Sequence, residues 1–235
     1  MKRLAGLAFA LAIVLGPQTG AAMDDVSRIQ IYVTPYYNSD GPAIAVGPYS
    51  AGLASRDSKQ FVTTVHTMKK HWMALRFYEL YAAAIRLYDL GYRNESVYWF
   101  YTAQYRGRQL AVLMDQDRLG SMGSPGFELY HAQDAFFQLV GPYVNGYAFG
   151  DPDALLRVVR RVQSENRTVG NLASLYPGVA FVDKSQWAAQ NDRLNSGMNK
   201  LADALTTQKD AIRQQRQQTG ADAKFGRLTS KDLPG

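Results

Sequence analysis

The sequence predicts a mainly α-helical protein, an irregular helical bundle that follows a short N-terminal segment of β or extended character. Three observations support this prediction. From Phe61 onward, apolar residues recur at intervals of three and four, the period of a helix with one buried face. Helix start and stop signals, such as Asp151-Pro152 and Gly91, separate these stretches. A β-like pattern is confined to residues 23–56.

The first 22 residues have the composition of a secretory signal peptide. Lys2 and Arg3 precede an uncharged stretch from Leu4 to Leu15, and small residues follow Pro17. The uncharged stretch is much shorter than the roughly 20 residues that a membrane-spanning helix needs. We therefore expect cleavage near Ala22, a periplasmic or secreted mature chain, and no stable membrane insertion after cleavage.

Composition narrows the classes of function. The chain has no cysteine, so it can form neither a disulfide nor a thiolate metal site, and it cannot carry a lipid on a cysteine after the signal peptide. The net charge is +6, and it falls to +4 once Lys2 and Arg3 are removed. Because acidic and basic residues are interspersed along the chain, we do not expect a nucleic-acid-binding protein.

Residues 23–56 are predicted to form an arm. The runs Ile29–Val33 and Ala43–Val46 are β-branched and flank a loop rich in proline, glycine and asparagine. The pattern fits a β-hairpin and equally an extended segment packed across the helices. An isolated hairpin is marginally stable in water, so either form is expected to pack against the helical body.

Residues 57–218 are predicted to form the α-helical domain. Asp57 or Ser55 caps its first helix, and a second helix from about Ala74 to Leu90 has only a narrow polar stripe, which indicates a central position. Gly91 is expected to end that helix. A third helix then runs from Asn94 to about Asp115, and Gly107 within it indicates close packing or a break.

The remaining helices are predicted from proline, glycine and capping signals. A fourth helix from Phe127 to about Leu139 is expected to end or kink at Gly141-Pro142. Asp151-Pro152 starts the next one, and a last long helix covers about Gln186 to Gln217. Residues 219–235 are polar, and we expect a mobile tail there.

One stretch resembles a known family. Trp99-Phe100, Ala103 and Gly107 match the second helix of a Sel1-like repeat, a relative of the tetratricopeptide repeat, and Leu87-Tyr88 with Gly91 resembles the end of its first helix. The resemblance covers one clear unit, residues 79–107, and a weak second junction near Phe149. It implies a repeat-like helix pair and a role in protein–protein interaction. Some exported relatives resemble immunity proteins that neutralise antibacterial effectors.

Polar and aromatic residues of the helix pair are the candidate partner surface. Tyrosine and arginine are typical interface anchors, but tyrosines also fill helix–helix contacts, and both interpretations apply to this stretch. The candidate partner-binding residues are Glu79, Arg86, Tyr92, Arg93, Arg106 and Arg108.

One set of side chains suggests chemistry. Glu128, His131 and Asp134 follow each other at intervals of three, so they can share a helix face and resemble half of a carboxylate-bridged metal motif. The second half is absent, and a solvated face with a local ion pair explains the spacing equally well. We expect no cofactor and no metal; these three residues are the weak candidate.

Three functions fit the sequence. The first is an exported, non-catalytic protein-binding protein whose partner is another protein, for example an immunity protein that neutralises an antibacterial effector. The second is a structural or regulatory factor of the cell envelope. The third is an enzyme that uses Glu128, His131 and Asp134 in acid–base or metal chemistry.

Overall fold

The computed structural model describes residues 47–235, and this part of the chain contains ten α-helices and no β-strand. The predicted mainly α-helical class is thereby confirmed. No described helix is both long enough and apolar enough to cross a membrane. The helices are α1 (Ser50–Ala54), α2 (Ser58–Lys70), α3 (Phe77–Asp89), α4 (Arg93–Leu113), α5 (Pro125–Ala148), α6 (Pro152–Glu165), α7 (Leu172–Leu175), α8 (Trp187–Thr207), α9 (Lys209–Gln218) and α10 (Ala221–Phe225).

The start of the described chain corrects the predicted arm. A 3₁₀ turn at Gly47–Tyr49 leads directly into α1, so the end of residues 23–56 is helical rather than extended. Asp57 caps α2 as expected, because its side chain accepts the backbone amides of Lys59 and Gln60. The predicted signal peptide and the rest of the arm lie outside the described residues.

Gly91 joins α3 to α4 in a tight turn. Its φ is +88°, a left-handed conformation that glycine adopts without strain. The amide of Tyr92 donates to the carbonyl of Leu87 at 2.8 Å, and the amide of Gly91 donates to that of Tyr88 at 3.1 Å. These two bonds form a Schellman motif. The predicted helix stop is confirmed, and the two helices pack more extensively against each other than any other pair in the described chain.

The helix α4 lies at the centre of the bundle. It contacts α3, α5, α6 and α8, and nearly every residue from Ser96 to Leu110 is buried. Gly107 permits one of these contacts, since a Cβ there would lie 2.8 Å from Oε1 of Gln133 on α5. The glycine therefore marks close packing; the alternative prediction, a break in the helix, does not apply.

Two predicted helix boundaries are wrong. The helix α5 continues through Pro142 to Ala148. A proline at this position removes one amide and frees the carbonyl of Gln138 four residues earlier, but both residues are exposed, so water can satisfy that carbonyl. The predicted last helix is broken at Gln208 into α8 and α9.

Residues 219–235, predicted to be a mobile tail, contact the bundle at several points. Phe225 on α10 is buried beside Gly146. Farther along, the amide of Lys231 donates to the carbonyl of Gly91 at 2.8 Å, and Ser230 Oγ accepts the amide of Asn94 at 2.9 Å. These two bonds attach the tail to the α3–α4 turn and to the start of α4.

Candidate functional site

Most of the candidate partner-binding residues stabilise the fold. Glu79 is buried and accepts the backbone amide of Arg76 at 2.7 Å, which caps the start of α3. Arg86 donates through Nε to the carbonyl of Leu53 at 2.8 Å and so attaches α1 to α3. The polar stripe that we expected to be exposed is covered here by residues 50–55.

Tyr92, Arg93 and Arg108 are also enclosed by neighbouring segments. The ring of Tyr92 stacks on Phe61 with a centroid distance of 6.2 Å. Arg93 is buried and donates to the carbonyl of Thr229 in the tail. The guanidinium of Arg108 lies 5.6 Å from the ring centre of Phe137, and burial lowers its pKa. These contacts within the chain engage the candidate residues other than Arg106, and their role in binding a partner stays a prediction.

The set of Glu128, His131 and Asp134 does not form a metal site. All three side chains are exposed on α5, and no group of three histidine or acidic side chains within residues 47–235 is placed to hold a metal ion. Glu128 instead accepts the amide of Gly123 at 2.8 Å, and the His131 ring lies 4.4 Å from that of Phe127. The three residues lie on a solvated face, but the expected local ion pair is replaced by the bond from Gly123 to Glu128.

The tyrosines of the helix pair serve mainly as packing residues with satisfied hydroxyls. Tyr81 donates to Gln133 at 3.1 Å, and Tyr101 donates to Asn145 at 2.9 Å. Burial raises the pKa of Tyr105 to about 12, and its hydroxyl donates to Asn195 at 3.0 Å. Of the two interpretations of these tyrosines, interface anchors or residues that fill helix–helix contacts, these bonds favour the second.

Arg106 lies at the base of a cleft with a volume of about 250 Å³. One wall is the 3₁₀ turn Trp72–Ala74, and the other is the segment 166–176, which includes α7. We call this feature the Arg106 cleft. Its lining includes Met73, Arg106, Gln109, Asn166, Asn171, Ser174 and Tyr176.

The guanidinium of Arg106 is held by neutral oxygen atoms. Nε donates to Oδ1 of Asn166 at 2.9 Å, and Nη1 donates to the carbonyls of Trp72 at 2.8 Å and Leu75 at 3.2 Å. Nη2 contacts the sulfur of Met73 at 3.7 Å, a weak acceptor. Burial lowers the pKa of Arg106, since desolvation disfavours the charged form.

A stack of rings and cations supports one wall of the cleft. The rings of Trp72 and Tyr98 are 5.1 Å apart and nearly parallel. The guanidinium of Arg106 lies 5.4 Å from the Trp72 ring centre, and that of Arg161 lies 3.8 Å from the Tyr98 ring centre. Cation–π contacts of this kind stabilise an arginine without neutralising it. Burial, and then the hydrogen bond to Glu165, raise the pKa of the Tyr98 phenol.

A second and larger cleft, of about 460 Å³, lies between α6 and the C-terminal segment. Its buried cation, Arg216, is neutralised within the chain. Nε of Arg216 pairs with Asp222 at 2.6 Å, and Nη1 donates to the carbonyl of Gly146 at 2.7 Å. Size favours this second cleft, but its buried charge is already paired, so we consider the Arg106 cleft the better candidate site.

The sequence identified Arg106 but none of its neighbours in the cleft. Trp72 and Met73 lie more than 30 positions before Arg106, and Asn166 lies 60 positions after it. No local pattern connects these three segments. The one signal in the sequence was an arginine near the middle of a helix whose other residues are mostly apolar or aromatic.

Comparisons with known proteins give a distant relative. An uncharacterized protein of Haemophilus influenzae is 24% identical to this chain over 208 residues, which covers 86% of this chain and 76% of that protein. No family model matches the chain. No solved structure matches it significantly.

Proposed function

We propose that this chain is an exported, non-catalytic protein-binding protein of the periplasm, and that the Arg106 cleft is where its partner binds. The observation that carries the proposal is the exposure of Met73, which is 64% exposed beside the cleft. A methionine side chain adapts to different partner shapes, and a concave site that combines apolar and convergent polar groups is typical of ligand binding. The signal-peptide pattern and the resemblance to Sel1-like repeats support the same proposal.

Site-specific photocross-linking in living cells tests the partner site. A photoreactive amino acid replaces Met73 in the full-length chain, and Met122, which is 55% exposed on a different loop, is replaced in the matched control. We expect a discrete adduct with another protein from position 73 and none from position 122. No adduct from position 73, or the same adduct from both positions, contradicts the proposal.

Fractionation of the same cells tests the compartment. We expect the chain in the periplasmic fraction with Met23 as its first residue. Retention of residues 1–22 in the membrane fraction contradicts export in the form proposed. If the adduct contains an antibacterial effector, loss of this chain should harm cells only when that effector is present; harm in its absence favours an envelope factor instead.

A further inference from the structure

The positive charge of Arg106 is not neutralised by contact with an acidic group of the described chain. Its residue is only 9% exposed, and none of the ion pairs among residues 47–235 includes it. Glu165 is near enough to influence its pKa, but this carboxylate is engaged by Arg161 at 2.8 Å and by the Tyr98 hydroxyl. A desolvated cation without a direct counter-ion is uncommon, because burial of a charge costs several kcal/mol unless it is paired.

Arg216 shows how this chain neutralises a comparable arginine. It is 5% exposed, and its guanidinium contacts the carboxylate of Asp222 at 2.6 Å. At Arg106 the corresponding acceptors are an amide oxygen and two backbone carbonyls. Arg106 lines the cleft, and its Nη2 contacts the weakly accepting sulfur of Met73. Because Nε and Nη1 already donate to the amide oxygen and the two carbonyls, Nη2 is the nitrogen that can donate a charge-assisted hydrogen bond to an oxygen of a bound carboxylate.

The size of the cleft limits what can bind. A volume of about 250 Å³ holds roughly eight water molecules at about 30 Å³ each, and therefore about as many non-hydrogen atoms. That is the size of one amino-acid residue with its carboxylate. The polar side chains of Gln109 and Ser174 line the same space, and Met73 offers an apolar surface to whatever extends out of it.

We infer that the Arg106 cleft binds the C-terminal residue of a partner polypeptide, with the terminal carboxylate on the guanidinium of Arg106 and the preceding residues against Met73. This inference rests on the proposed function, since it names the part of the partner that the site recognises. Charge complementarity and the one-residue volume select a chain terminus over an internal segment.

Calorimetric titration of the purified mature chain with three probes tests the chemistry. The probes are N-acetyl-leucyl-leucine with a free carboxylate, the same dipeptide as its C-terminal amide, and acetate. We expect the free acid to bind at least tenfold more tightly than the amide and than acetate. Equal binding of acid and amide overturns the carboxylate contact, and equal binding of acetate and dipeptide overturns the polypeptide terminus in favour of a small organic acid.

Substitutions locate the binding. Arg106→Gln should abolish binding of the free acid, but this change also removes bonds to the carbonyls of Trp72 and Leu75 and can unfold the wall. Ser174→Trp fills the cleft and leaves Arg106 intact, whereas Ser164→Trp places the same bulk on an exposed residue outside it. We expect at least a tenfold loss of affinity for Ser174→Trp and no change for Ser164→Trp. Wild-type affinity in Ser174→Trp overturns the site.

The two proposals fail in different ways. A protein adduct at Met73 together with equal binding of acid and amide rejects the carboxylate site and supports the partner-binding function. Selective binding of the free acid without any adduct in cells supports the site chemistry and rejects the protein-binding function.

Discussion

Replacing Gly146 by alanine should release the C-terminal segment from the bundle. An added Cβ at this position would lie 2.4 to 2.8 Å from three carbon atoms of the Phe225 ring. A buried ring cannot absorb such an overlap by rotating a terminal atom, so the ring must leave its site. The structure therefore predicts that α10 and the residues after it detach in Gly146→Ala.

The change in stability has two parts: Phe225 loses the free energy of its burial, and α5 gains the higher helix propensity of alanine. Exposure of a phenylalanine side chain costs about 2 kcal/mol, which increases the detached population of the tail about 30-fold. Alanine in place of glycine within a helix recovers about 1 kcal/mol. We therefore expect a large local effect on the tail and a global stability that decreases by only about 1 kcal/mol.

Hydrogen exchange and limited trypsin digestion measure the detachment. Exchange of the Lys231 amide, which donates to the carbonyl of Gly91, should accelerate, and trypsin should cut sooner after Lys224. Gly170→Ala is the matched control, because nothing lies within 4 Å of a Cβ at that position. Identical exchange of Lys231 in the two variants would refute the packing of the tail against α5.

Three further perturbations test other parts of the fold. Asp151→Ala removes the side chain that accepts the Ala154 amide at the start of α6, and calorimetry should show a loss of about 1 kcal/mol or about 2–4 °C in melting temperature. Gly91→Ala forces φ of +88° on a residue with a side chain and should destabilise the chain by about 1–2 kcal/mol in urea titration. Alkaline titration should unfold the protein. The buried phenols ionise near pH 10 only in the unfolded state, so the free energy of unfolding decreases as the pH rises above that value, by about 1.4 kcal/mol per phenol and pH unit. A smooth ionisation of every tyrosine near pH 10 with an intact helical circular dichroism spectrum would contradict this. The phenols whose pKa burial raises most clearly are those of Tyr81, Tyr101 and Tyr176.

Helix starts and tight turns of this fold could be predicted from the sequence. Gly91 marks the turn between α3 and α4 because only a residue without a side chain tolerates its φ at little cost. Asp57 and Asp151 mark helix starts because their carboxylates accept the first free amides. These signals act within a few residues, so they are readable without knowledge of the tertiary structure.

The non-local part could not be predicted in the same way. Gly141-Pro142 was expected to end or kink a helix, yet α5 continues to Ala148, and Gln138, whose carbonyl loses its helical partner, is an exposed residue. The stripe with Glu79 and Arg86 was the candidate partner surface, yet Glu79 caps α3 and Arg86 donates to the carbonyls of Leu53 and Ser55. Helical periodicity identifies a polar face, but it does not reveal whether water or another segment satisfies that face.

Arg106 extends this argument to function. Arg216 and Arg106 are both buried, although the sequence suggested a candidate partner-binding role for Arg106 and a solvated helix end for Arg216. The carboxylate of Asp222 compensates the first, while neutral oxygen atoms hold the second in position. Neutral acceptors fix the orientation of a guanidinium without cancelling its charge, so it can still attract an incoming anion. A positioned cation without a direct counter-ion beside a cleft is the feature of the described residues on which our binding proposal for Arg106 rests.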